Sequence, residues 1–213
     1  TKEMAQEAIS KMKIFHESVR DLYGNFDMDL LDNLGRRNII MSQTQEKFFA
    51  QSLSKVYEGV REDGRTGEPD IMIGELDKEL ECKLTSRHRS GSISFQSDFE
   101  SLQKKGNLDY LYVIADNEFE NFAVLLFEGL TVDDFRPLST GARGKVAMFK
   151  HRGMKKCRKL LGNCVNVNDI NIEKCRRKLK NKKTPPYQRR RAQKSLKYWQ
   201  ETPTKYRFEL EAI

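Results

Sequence analysis

The sequence predicts an α/β protein, a β-sheet flanked by helices and followed by a basic, mostly helical C-terminal extension. Three observations carry that expectation. Apolar residues recur at helical spacing over 1–23 and again over 44–60. Two strongly β-forming runs, 109–115 and 122–127, are separated by a turn-rich acidic link. The charge also changes sign along the chain: residues 1–140 hold 17 Lys and Arg against 26 Asp and Glu, a net −9, whereas residues 141–213 hold 22 against 5, a net +17, together making the +8 of the whole. At 213 residues there is room for one core domain with an appendage, which we divide as 1–150 and 151–213.

Taken in order, the first helix presents Met4, Ala8, Met12, Phe15, Val19 and Leu22 and stops at Tyr23-Gly24. The second, over 44–60, carries Phe49, Leu53, Val56 and Tyr57 on one stripe, with Glu46 on the same stripe. A polar loop over 61–67 leads to a short strand over 69–74. A turn at 75–78 then opens a second strand over 79–85, so the pair reads as a hairpin. Alternation turns Leu80, Cys82 and Leu84 to the core, leaving Glu79, Glu81, Lys83 and Thr85 on the opposite face. A polar loop over 86–94 precedes a helix over 95–105, stopped by Gly106, and then the two β runs. A short strand over 146–149 closes this part, and a helix over 187–200 lies in the basic part.

The apolar share of 38% and charged share of 33% describe a soluble chain with a large charged surface. No apolar run approaches the roughly 18 residues of a membrane span, and no export signal opens the sequence, so no membrane partner and a cytoplasmic setting are expected. Cys82, Cys157, Cys164 and Cys175 are too irregularly placed for a disulfide framework. His151 with Cys157, Cys164 and Cys175 leaves a zinc site open, against the plainer reading of small apolar fillers. His16 and His151 are given no other role.

Asp70 opens one strand of the hairpin and Glu81 lies inside the next, so two carboxylates can share one cation. Hard oxygens without histidine or thiolate partners favour Mg²⁺, with Mn²⁺ as a substitute. Such an ion can neutralise a phosphodiester transition state and activate water. Lys83, two residues after Glu81 on the same face, brings an ammonium to that place. It can orient the water and ease its deprotonation, or steady charge on the phosphoryl oxygens. Glu75, Asp77 and Glu79 read as solvated acids.

Pro69-Asp70, ten intervening residues, then Glu81-Cys82-Lys83 resembles the PD-(D/E)xK motif of type II restriction endonucleases and related DNA-cleaving enzymes. The resemblance covers roughly residues 44–127. It implies a restriction-endonuclease-like core with a mixed sheet, Mg²⁺ held by Asp70 and Glu81 with a further contact from Glu46, and catalysis assisted by Lys83. The products would carry a 5′-phosphate and a 3′-hydroxyl. Gln96 is a weaker candidate for holding water or phosphate. The family core has three strands between its two helices, where this sequence shows two.

A segment at +17 repels itself unless a polyanion is near, which points to nucleic acid. Candidate DNA contacts are Arg87, His88 and Arg89 after the acidic strand, Arg143 and Lys145 in a Gly-flanked loop, and Arg189, Arg190 and Arg191 in the basic helix. Tyr187, Tyr198, Trp199 and Tyr206 interleave with the cations and suit either core packing or base stacking. The first expectation is a sequence-specific endonuclease acting on double-stranded DNA as a homodimer. A structure-selective nuclease (junction, repair or homing) and a non-enzymatic nucleic-acid-binding module remain as alternatives.

Overall fold

The computed structural model describes residues 1–63, 65, 68–87, 93–139 and 144–213. In chain order the elements are α1 (Lys2–Gly24), α2 (Leu34–Leu53), β1 (Val60–Glu62), β2 (Ile71–Ile73), β3 (Lys78–Ser86), β4 (Gln96–Asp98) and α3 (Phe99–Lys105). They continue with β5 (Leu108–Ala115), β6 (Asn121–Leu130), β7 (Lys145–Ala147), α4 (Lys150–Gly153) and β8 (Cys157–Leu161). The chain ends with β9 (Asn163–Asn166), α5 (Val167–Lys180), α6 (Pro186–Glu201), β10 (Tyr206–Glu209) and β11 (Glu211–Ala212).

The architecture is α/β with a mixed sheet. Strand order is β1-β2-β3-β5-β6-β11, and β8 also pairs with β6. β1, β2 and β3 run antiparallel to one another, whereas β3 and β5 are parallel. Two parallel neighbours need a crossover, and α3 lies within it. β5 and β6 then pair antiparallel.

One face of the sheet buries Leu80, Cys82, Leu111 and Val113 against Ile9, Met12, Met41 and Phe49 of α1 and α2. On the other face Phe95, Tyr112 and Phe127 meet edge to face with centroids 4.9 to 5.6 Å apart. β3 is therefore covered on both sides, which is why its alternate acidic face is half-buried rather than fully solvated.

Several elements differ from expectation. α2 begins ten residues before the predicted start because Asn33 caps it, its side chain accepting from Arg36 N–H at 3.1 Å. The helix stops at Leu53, leaving Val56 exposed and freeing 60–62 to form β1, a third strand ahead of α3. The buried stripe of α1 is Ala5, Ala8, Ile9, Met12 and His16, so Phe15 and Leu22 face solvent. The segment 95–105 is only partly helical. Asp98 caps α3 by accepting from Ser101 N–H at 3.0 Å, and residues 96–98 pair with β7 instead.

The chain forms two compact units, Thr1–Asn163 with Glu209–Ile213, and Cys164–Phe208. Residues 151–163, which the sequence grouped with the basic extension, pack in the first unit, where β8 pairs with β6. The second unit carries fourteen Lys and Arg against three Asp and Glu, a net +11. Its helices run antiparallel. Arg189 donates to the Leu179 carbonyl at 3.0 Å at one end, and Asn168 donates to the Trp199 and Thr202 carbonyls at 3.1 and 3.0 Å at the other. Among the described residues no helix is long and apolar enough to cross a membrane.

Candidate active site

The antiparallel pairing of β2 with β3 sets Ile71 opposite Leu80, so Asp70, just before β2, meets β3 at residues 81–83. One Asp70 oxygen accepts from the Cys82 backbone N–H at 2.7 Å. Alternation then puts Glu81 and Lys83 on one face, in register with Tyr110 and Tyr112 of β5. The Lys83 Nζ donates to Glu81 Oε2 at 3.1 Å and lies 3.8 Å from Asp70 Oδ2. The predicted carboxylate, carboxylate and ammonium group is thus brought together around Lys83 Nζ.

Electrostatics at this point combine burial with the mutual influence of the carboxylates and the Lys83 ammonium. Burial, opposed by Lys83, raises the Asp70 carboxyl above its ordinary range. Burial alone would lower Lys83, but Glu81 and Asp70 outweigh it and the net shift is upward, so this side chain stays an ammonium at neutral pH. Glu46 is pushed up to about 7 by burial and then by Asp70, with Lys83 acting the other way. Its placement on α2 therefore does bring it into the field of the same group.

Lys105, at the end of α3, pairs with Glu79 at 2.9 Å and lies 3.9 Å from Glu81 Oε1. Sequence reasoning missed it. The available signal was its position in the last helical turn before the Gly106 stop, which aims it at the acidic strand running beside α3. Glu79 is an exposed acid that forms a surface pair with it.

Gln96 opens β4, not a helix. Its carbonyl accepts from Tyr112 Oη at 2.6 Å while its side chain is exposed. With Lys83, Thr85, Ser94, Asp98 and Lys145 it lines a cleft of about 490 Å³. Arg87 follows β3, is half-buried and borders a neighbouring cleft with Ser86 and Asn38. His88, Arg89 and Arg143 lie outside the described residues. Arg190 and Arg191 are exposed on α6, whereas the guanidinium of Arg189 is turned to the Leu179 carbonyl.

Among the described residues, no three His, Cys, Asp or Glu side chains stand close enough to hold a metal ion. This covers both the acidic group, where the Lys83 ammonium lies at ion-pair distance from two carboxylates, and the His151, Cys157, Cys164 and Cys175 set. Comparison of the chain with protein-family models, with curated proteins and with solved structures returned no match.

Proposed function

We propose that this chain is a Mg²⁺-dependent endonuclease that hydrolyses double-stranded DNA, of the PD-(D/E)xK type. The observation that carries the reading is the convergence of Asp70 and Glu81 on one ammonium, Lys83, across the β2–β3 hairpin. The order of elements supports it. β1 supplies a third strand of the main sheet between α2 and α3, while β4 pairs with β7 instead, and β3 and β5 are parallel across α3.

The donor type, hard carboxylate oxygen, suits a divalent cation, although only Asp70 and Glu81 converge on Lys83. Asp70 and Glu81 offer only carboxylate oxygens, and Glu46 lies in the field of the same group, its carboxyl pushed up to about 7 by burial first and then by Asp70. When bound, the ion supplies charge neutralisation at the phosphoryl group and an activated water. The chain's own contributions are three. The Cys82 N–H fixes Asp70, Lys83 presents a permanent positive charge to the developing phosphoryl charge, and Lys105 holds Glu81 and Glu79 in place. The upward shift of Lys83 favours this electrostatic role over proton acceptance.

The second unit, at net +11, is assigned to holding the DNA backbone. Site-specific cutting of the restriction type, by a two-fold dimer in the cytoplasm, completes the reading. The test is digestion of plasmid with Mg²⁺ and with EDTA, beside Asp70→Asn and Lys83→Ala. Linear or discrete fragments that need Mg²⁺ and both side chains are expected. Identical behaviour of the three proteins would end the enzyme reading.

A further inference from the structure

The second unit presents one helix face that the rest of the unit does not use. On α6 the side chains turned inward are Gln188, Ala192, Ser195, Leu196 and Trp199, which are buried or half-buried. Tyr187, Arg190, Arg191, Lys194, Lys197 and Tyr198 recur every three or four residues on the opposite side and are all exposed. Both tyrosines are unusually open, 69% for Tyr187 and 54% for Tyr198. Among the described residues Arg190, Arg191 and Lys194 have no ion pair, while Lys197 has only the exposed Glu201 at 3.8 Å.

Like charges gathered on one face are unfavourable in isolation, and i,i+3 and i,i+4 repulsion works against this helix. α6 forms nevertheless, started by a Pro at its first turn and packed through Ala192, Leu196 and Trp199. The outward stripe thus has a cost that its own unit does not offset.

We infer that α6 is a DNA-reading helix that lies in the major groove of duplex DNA through the Tyr187-Arg190-Arg191-Lys194-Lys197-Tyr198 stripe, an inference that rests on the DNA-cleaving reading above. Shape selects the partner. Sixteen residues make a rod about 24 Å long and, with side chains, about 10 to 12 Å across, the width the major groove admits. Single strands are held in concave basic grooves with rings stacked on bases, and this stripe is convex. An acidic membrane surface needs an apolar face to insert, and the apolar side of α6 is occupied within its own unit. The arginines in the middle can reach guanine O6 and N7, and the tyrosines at either end lie about 16 Å apart along the axis, placed for phosphates.

The test uses the full chain in EDTA, so that binding is read without cutting. Fluorescence anisotropy is measured with a duplex two helical turns long, with the same strand unpaired, and with a duplex methylated at guanine N7. The stripe assignment predicts that Arg190→Gln/Arg191→Gln/Lys194→Gln, with unchanged helical circular dichroism, weakens duplex binding by at least about tenfold and lowers the log-log salt slope by about 2 to 3. N7 methylation weakens wild-type binding by at least about tenfold, and the single strand binds more weakly than the duplex. Unchanged affinity and slope in the triple variant, equal binding of the single strand, or indifference to N7 methylation would overturn it. Lost cleavage with α6-dependent binding intact would instead count against the nuclease reading alone.

Discussion

Asp70 accepts a 2.7 Å hydrogen bond from the backbone N–H of Cys82, the residue that separates Glu81 from Lys83. The carboxylate is therefore tied to the strand that carries its two partners, and its distance from them does not depend on the loop before it. One oxygen is committed to that bond, leaving the other for a ligand.

Asp70→Asn keeps an acceptor for the Cys82 N–H and removes only the charge. Plasmid cleavage should fall by at least about a hundredfold while the melting temperature changes little. Asp70→Ala should show the same loss of cleavage together with about 1 to 2 kcal/mol of lost stability in chemical denaturation, because the Cys82 N–H loses its partner.

Glu46 contributes a pH dependence of definite sign. Its folded value of about 7 lies above the ordinary 4.5, so the folded state binds the extra proton between those values and stability falls as pH rises through that window. Asp70, Glu62 and Glu81 oppose its ionisation and Lys83 favours it. Glu46→Gln should be more stable than wild type at pH 8 by about 1 kcal/mol, allowing for screening at a half-buried group, with the difference gone below pH 4.5. A Glu46→Gln variant less stable than wild type at pH 8 would refute this account.

His16 acts in the opposite direction. It is buried, stacks on Phe119 with centroids 4.5 Å apart, and is lowered from 6.5 to about 4 by burial and then by Arg37 and Arg20, with Glu120 working against them. The unfolded chain binds the proton first, so the stabilising contribution is complete above pH 6.5 and is lost as pH falls toward 4. Between pH 7 and pH 5 this should remove about 1 to 2 kcal/mol, and His16→Phe, which keeps the ring stack, should abolish that part of the dependence. Urea denaturation of the two proteins at both pH values measures it.

Gly162 joins β8 to β9 with a φ of +66°, and a Cβ there would lie 2.7 Å from the Glu209 carbonyl oxygen and 2.9 Å from Ala123 Cβ. Both obstacles are close and one is backbone. Gly162→Ala should therefore cost about 3 kcal/mol or more, read as a fall in denaturation midpoint. Gly106→Ala, at φ +77° with no atom within 4 Å of the added carbon, should cost only about 1 kcal/mol.

The acidic group was legible because its geometry is local. A hairpin and a period of two are enough to bring residue 70 to residues 81–83, and both come from short stretches of chain. Glu46 lies on the predicted stripe, half-buried, with burial and Asp70 raising its carboxyl and Lys83 lowering it, although the helix bearing it starts ten residues earlier than the periodicity indicates. The cap at Asn33 carries little sequence signal because the run it opens is Leu34-Gly35-Arg36-Arg37, and Arg37 is fully buried, donating to the Asp116 carbonyl and Ser86. β1, β4 and β11 escaped notice for another reason. Two or three residues carry no periodicity, and each exists through pairing with a partner distant in sequence.

The basic unit leaves the main sheet at Asn163 and rejoins it at Glu209, two residues whose side chains are hydrogen-bonded at 3.2 Å, and β11 then completes the sheet edge beside Phe122. Residues 164–208 are thus a cassette spliced into the sheet-bearing unit, its entrance and exit sharing a doorway. A short turn can replace it, or a foreign segment be grafted there, without disturbing the sheet, whereas truncation from residue 174 onward would strip the closing strand as well. On the nuclease proposal, site choice and bond breakage would accordingly be free to diversify at separate rates.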